Sequence, residues 1–181
     1  MGDVERLPRL RPDDLDDAQR ELHATFVGGP RQSQAGFFPV ADADGVLSGP
    51  YRAMLLSPAA GAPLERLGRA VRYEVGLPDR ARELAILTVA RLSDSEVEWR
   101  AHERLALSVG VPEAAVRALW AGTPVFDDVT DALVHRFASE LLQEHRIDDA
   151  TFAAAQDRFG RAGVFELVAT IGYYQTIAHI N

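Results

Sequence analysis

Ser95, Glu98 and His102 are spaced three and then four residues apart, so on a helix their side chains share one face. Glu83 stands on the segment before them, within the run Arg82-Glu83-Leu84-Ala85-Ile86-Leu87. A short turn at 92–94 makes the two helices antiparallel neighbours. A carboxylate on so apolar a helix faces inward and needs a partner, because an unpaired buried charge costs several kcal/mol, roughly. Two carboxylates and one imidazole between helices push their pKa values apart, which is what acid/base chemistry uses.

The same residues have a plain structural reading. Ser95-Glu96-Val97-Glu98 matches a capping box, in which Ser95 caps the helix and Glu98 bonds back, and Ser93-Asp94-Ser95-Glu96 matches equally well. A Glu98–His102 pair one turn apart supports a helix by about 0.2–0.5 kcal/mol without doing chemistry. Glu83 can pair with Arg80 or Arg104. The residues leave both readings open.

Helical periodicity dominates the elements that must position this cluster. Leu15, Ala18, Leu22 and Phe26 form one stripe on a first helix. From Gly28-Gly29-Pro30 to Gly49-Pro50 the chain reads as a long loop rich in Gly, Pro, Asp and Ser, of the kind usually tied to function. Leu64, Leu67, Val71 and Val75 mark a second helix that stops at Gly76-Leu77-Pro78. The third, opened by Pro78, is apolar on almost every side and belongs in the centre. The fourth runs from near Asp94 to Gly110, the fifth from Pro112 to Gly122, and the sixth carries Val129, Leu133, Phe137 and Leu141. A seventh, capped at Asp148 or Asp149, ends at Gly160, and an apolar last helix covers about 162–180. The expectation is an all-α, single-domain bundle of about eight helices over residues 1–181, with a flexible segment at 1–11.

Composition narrows the function classes. The 181 residues, 47% of them hydrophobic, suffice for one sizeable core. A net charge of −8 leaves no footprint for nucleic acid or an anionic membrane. With no cysteine, disulfides, thiolate metal sites and thiol nucleophiles are all excluded. No apolar signal-like region opens the chain and no stretch is long enough to span a bilayer, which fits a soluble, cytoplasmic protein. His23, His135, His145 and His179 are scattered, with no metal-ligand spacing, and Glu98-x-x-x-His102 is one residue longer than the helical di-metal signature. Neither a metal nor a cofactor is expected.

Arg82-Glu83-Leu84-Ala85-Ile86-Leu87, then Glu98-Trp99-Arg100-Ala101-His102, Ala106 and Gly110 together resemble the core of the carboxymuconolactone decarboxylase-like superfamily. The resemblance extends upstream through Gly49-Pro50-Tyr51-Arg52-Ala53-Met54-Leu55 and Leu77-Pro78, and downstream to Ile171-Gly172-Tyr173-Tyr174, so it covers the chain from about Phe38, with its core at about 50–122. It implies an alkylhydroperoxidase D-like helical fold. The peroxidase branch of that superfamily sets a Cys-x-x-Cys pair where this chain has Ser95 and Glu98, so disulfide-based peroxide reduction is closed to it. The decarboxylase branch has a Glu-x-x-x-His pair, which Glu98 and His102 match.

The resemblance implies a cofactor-free lyase-type enzyme that decarboxylates, or shifts a proton on, a small carboxylated lactone or enol. Its rival is a catalytically silent oligomeric protein that binds a small molecule or serves as a subunit. Loss of carbon dioxide leaves a dienolate that must be stabilised and protonated. His102 is then the proton donor and acceptor, Glu98 orients it and sets its protonation, and Glu83 holds a proton or positions a water. Arg52 is the candidate for a substrate carboxylate, and Ser95, Trp99 and Tyr173 (or Tyr174) for the pocket lining. Trp99 and the tyrosines at helical spacing also suit an ordinary core. The apolar third and last helices, with the superfamily's closed assemblies, imply a homo-oligomer, a trimer or hexamer first and a dimer next.

Overall fold

Asp16 starts the first helix by accepting a hydrogen bond from Gln19 N at 2.8 Å, while Gln19 Oε1 accepts one from Asp16 N at 3.0 Å. In this computed structural model, which describes residues 7–30 and 39–181, eight α-helices follow in order. They are α1 Asp17–Val27, α2 Pro50–Met54, α3 Pro58–Tyr73, α4 Asp79–Leu92, α5 Glu96–Ser108, α6 Glu113–Trp120, α7 Val129–Ser139 and α8 Asp149–Ile180. Among the described residues there is no strand, only an isolated bridge between Ala41 and Leu47. The all-α expectation holds. No helix of the described residues is long and apolar enough to cross a membrane.

The chain divides into two compact units, residues through Arg69 with Ile180 and residues Ala70–His179 with Asn181. In the first, Leu22 and Phe26 are buried, and the Phe26 ring lies 4.7 Å from that of Tyr51 on α2. That short helix begins where the expected long loop ends. The start of the superfamily resemblance at Phe38, and the expected flexible segment at 1–11 as far as residue 6, lie outside the described residues.

The buried face of α3 differs from its apolar stripe. Leu67 is 42% exposed, whereas Gly61, Glu65 and Gly68 are buried. A side chain at Gly61 would place its Cβ 2.3 Å from the carbonyl oxygen of Met54. At Gly61 the Met54 backbone and the Leu22 side chain both come too near for a Cβ, while Val71 of the expected stripe is buried.

In the second unit every residue from Ala81 to Ala90 on α4 is buried, as a central helix requires. It packs against α5, α6 and α7. Asp128 caps α7, accepting from Thr130 N at 2.8 Å and Asp131 N at 3.0 Å, and Asp148 caps α8 by accepting from Ala150 N at 2.9 Å. The α8 range is broken at Gly160, whose φ of 70° and ψ of 174° are not helical. The expected break between the last two helices is thus present at Gly160, within the α8 range. The short α2 is the addition to the expected set.

Candidate active site

Glu83 and His102 meet between α4 and α5. His102 Nδ1 lies 2.7 Å from Glu83 Oε2, and Arg82 Nε donates to Glu83 Oε1 at 3.4 Å. On the other side of the ring, Arg72 in the last turn of α3 donates from Nη1 to His102 Nε2 at 3.1 Å and to the Tyr174 hydroxyl at 2.8 Å. Glu98 Oε2 stands 3.8 Å from Nε2, beyond hydrogen-bond reach, and its Oε1 accepts from Asn181 Nδ2 at 2.7 Å. The Tyr174 ring meets His102 edge-on, with centroids 5.0 Å apart. Glu83, Glu98 and His102 are 2%, 6% and 3% exposed, so each depends on its protein partners rather than on water.

The geometry fixes the form of the imidazole. A guanidinium has donors only and stays charged, so Nε2 must accept from Arg72. The ring hydrogen therefore resides on Nδ1, where it is donated to Glu83. Burial alone would lift the Glu83 carboxyl. The facing imidazole, through its charge once protonated in acid and through its hydrogen bond, outweighs burial together with Arg72 and Arg82 and holds it down at about 2. Burial pushes the Tyr174 hydroxyl well above its ordinary value, with Glu83 and Glu98 adding to it against the pull of Arg72.

The place assigned to Glu98, that of orienting the imidazole, is held by Glu83. On one helix, a glutamate one turn before a histidine reaches only to 3.8 Å here, while the glutamate on the neighbouring helix comes within 2.7 Å of Nδ1. The capping box does not form either. Ser95 is the residue before α5 but makes no side-chain cap, and its buried Oγ has no hydrogen-bond partner among the described residues. Glu83 pairs with neither Arg80 nor Arg104; Arg80 instead holds Asp131 through two hydrogen bonds, at 2.9 and 2.6 Å.

The remaining candidates are dispersed. Trp99 is buried against Trp120, with centroids 4.7 Å apart, and borders a surface depression of about 540 Å³ whose lining includes none of Glu83, Glu98 and His102. Tyr173 is buried and meets Tyr174 edge-on at 5.1 Å, so it is Tyr174 that reaches the cluster. Arg52 sits on α2 in the first unit. Arg72 and Asn181 were not singled out by the sequence. No group of three His, Asp or Glu among the described residues is arranged to hold a metal ion.

The segment that supplies Arg72, Glu83, Glu98 and His102 also carries a family signature. Residues 58–135 match the model of the carboxymuconolactone decarboxylase family. Over that stretch the chain is similar to the carboxymuconolactone decarboxylase family. The match takes in α3 to α6 and part of α7, so the helices that frame the imidazole lie within the family region, while Tyr174 and Asn181 lie beyond it. No curated protein and no solved structure was found to match the chain.

Proposed function

We propose that this protein is a cofactor-free lyase-type enzyme that acts on a small carboxylated lactone or enol, by decarboxylation or a related proton transfer. The observation that supports the reading is the buried Glu83–His102 pair, at 2.7 Å. A carboxylate that fixes Nδ1 leaves Nε2 as the nitrogen that takes up and returns a proton, the division of labour general acid/base catalysis needs. Glu98, at 3.8 Å from Nε2, adds negative charge beside that nitrogen and favours the protonated ring once a proton arrives. Loss of carbon dioxide breaks the bond to the carboxyl carbon and leaves its electron pair on the substrate as a dienolate. Nε2, having first taken a proton from solvent, then delivers it to that anion at carbon, and the ring returns to its neutral form with its hydrogen on Nδ1. Ser95, Trp99 and Tyr173 are retained as candidate contacts of the substrate, and a cytoplasmic homo-oligomer as the working form.

The test is carbon dioxide release from a panel of carboxylated lactones and enols. Turnover by the native protein that falls by about 100-fold or more in His102→Ala is the expected result. A panel that gives no release, or release indifferent to His102→Ala, defeats the reading. The rival reading is a catalytically silent oligomeric protein that binds a small molecule or serves as a subunit. It draws on the burial of the same three side chains, 2–6% exposed and each hydrogen-bonded.

A further inference from the structure

Trp99 and Trp120 are the two tryptophans of the chain, and they meet where α5 packs against α6. Their ring centres are 4.7 Å apart and the planes are inclined by 43°, so the indoles form a corner rather than a stack. Trp99 is 5% exposed and Trp120 42%, so Trp120 offers most of the aromatic surface to a ligand. The depression of about 540 Å³ that both border is completed by Glu96, Arg100 and Glu103 from α5 and Arg117 from α6. Residues 96, 99, 100 and 103 fall at the spacings that share one face of a helix.

The charges in this depression do not cancel. Arg100 is paired with Glu96 at 2.7 Å and Arg117 with Glu113, each one turn away on its own helix. Glu103 is partly buried and has no hydrogen-bond or ion-pair partner among the described residues. One uncompensated carboxylate therefore stands beside two indoles, on a protein of net charge −8. Both features attract a cation and repel an anion. An indole face is also the strongest aromatic partner for a cation. Trp120 already holds one: the Arg91 guanidinium, which is not part of the lining, lies 5.9 Å from its ring centre. A divalent metal ion is a poor match, since it needs several ligands and Glu103 supplies one carboxylate. An alkylated ammonium matches better, because its carbon shell is weakly hydrated and indole surface can cover it. We propose that this depression binds a small organic cation of the alkylated ammonium class, with the two indoles covering its carbon atoms and Glu103 matching its charge. The lining includes none of Glu83, Glu98 and His102, so the site is separate from the proposed reaction and does not rest on it.

The experiment uses the full chain, labelled with ¹⁵N, in which both indole N–H signals come from this depression. Three probes of one shape are titrated near neutral pH at constant ionic strength: choline, its neutral carbon counterpart 3,3-dimethylbutan-1-ol, and the anionic 3,3-dimethylbutanoate. Choline should shift the Trp120 signal saturably, with a dissociation constant of about 1–10 mM. The alcohol and the carboxylate should each bind about tenfold more weakly or not at all. Glu103→Gln should weaken choline binding by about tenfold, the scale of one charge pair near a surface. Trp120→Ala should weaken it by about threefold or more, read on the remaining Trp99 signal. No saturable shift by about 100 mM choline overturns the inference, and so does an alcohol that binds as tightly as choline. Tighter binding of the carboxylate also overturns it, since the arginines would then have left their glutamates for an anion. These outcomes are read on the native protein, so none depends on whether a variant folds. A folded Glu103→Gln that binds choline to within about twofold of the native protein would remove Glu103, and the site as described, from the molecule.

Discussion

Replacing Glu83 with Gln keeps the shape of the side chain and an acceptor for His102 Nδ1 but removes the charge that the site holds in place. The carboxyl lies at about 2 against an ordinary 4.5, because His102, Arg72 and Arg82 together overcome the opposing push of burial. At about 1.36 kcal/mol per pKa unit, that gap corresponds to about 3 kcal/mol of stability from the ionised form. A folded-state pKa below the unfolded value gives stability that is complete above about pH 4.5 and is lost as pH falls toward 2. Between about pH 6 and pH 3, some 2 kcal/mol of it should disappear, in the native protein only. The assay is urea unfolding followed by tryptophan fluorescence. Both tryptophans, Trp99 and Trp120, belong to the same unit as Glu83, so the signal reports on the right part of the chain. Asp42 and Asp128 also titrate low, but they are common to both proteins and cancel in the difference. The stability gap between native protein and Glu83→Gln should narrow by about 2 kcal/mol over that pH range. A gap that stays constant to within about 0.5 kcal/mol would refute the account of Glu83 as a carboxylate held ionised by its partners.

Asp131 is buried and takes two hydrogen bonds from Arg80, so Asp131→Ala should cost about 2 kcal/mol in the same unfolding assay, and a change under about 0.5 kcal/mol would contradict a structural role for the pair. Gly160→Ala meets no atom within 4 Å, so any loss comes from the backbone: at φ 70° and ψ 174° it should be about 1–3 kcal/mol, and a neutral result would mean the break in α8 straightens. Light scattering at micromolar concentration should give a multiple of the 19.8 kDa chain mass, a trimer or hexamer first, and a mass near 19.8 kDa would remove the oligomer from the proposal.

Much of the fold was legible because it follows from local pattern. The unbroken apolar run of α4 means burial on all sides, and it is buried from Ala81 to Ala90. Gly110, Gly122 and Gly160 mark real breaks, with φ of 90°, 77° and 70°. The buried face of α3 was not legible. Hydrophobicity points to Leu64 and Leu67, but what packs near Gly61 is decided by how closely the Met54 backbone and Leu22 come, which no hydropathy pattern records. The helix at Pro50–Met54 is five residues long, too short to display a period.

The candidate site was legible to the extent that its residues share a helix. Spacing places Glu98 and His102 on one face, and the short turn brings Glu83 opposite. Which carboxylate the imidazole takes is a matter of angle between helices, and spacing carries no information on it. Nor could spacing find Arg72 and Tyr174, which lie 30 and 102 residues from their partners His102 and Arg72. Their arrival changes the chemistry. Glu83, Glu98 and His102 alone describe an imidazole beside two carboxylates, a ring poised to be protonated. With Arg72 donating to Nε2 at 3.1 Å, that nitrogen is an acceptor, and an arginine thirty residues away in sequence has changed how the ring reads.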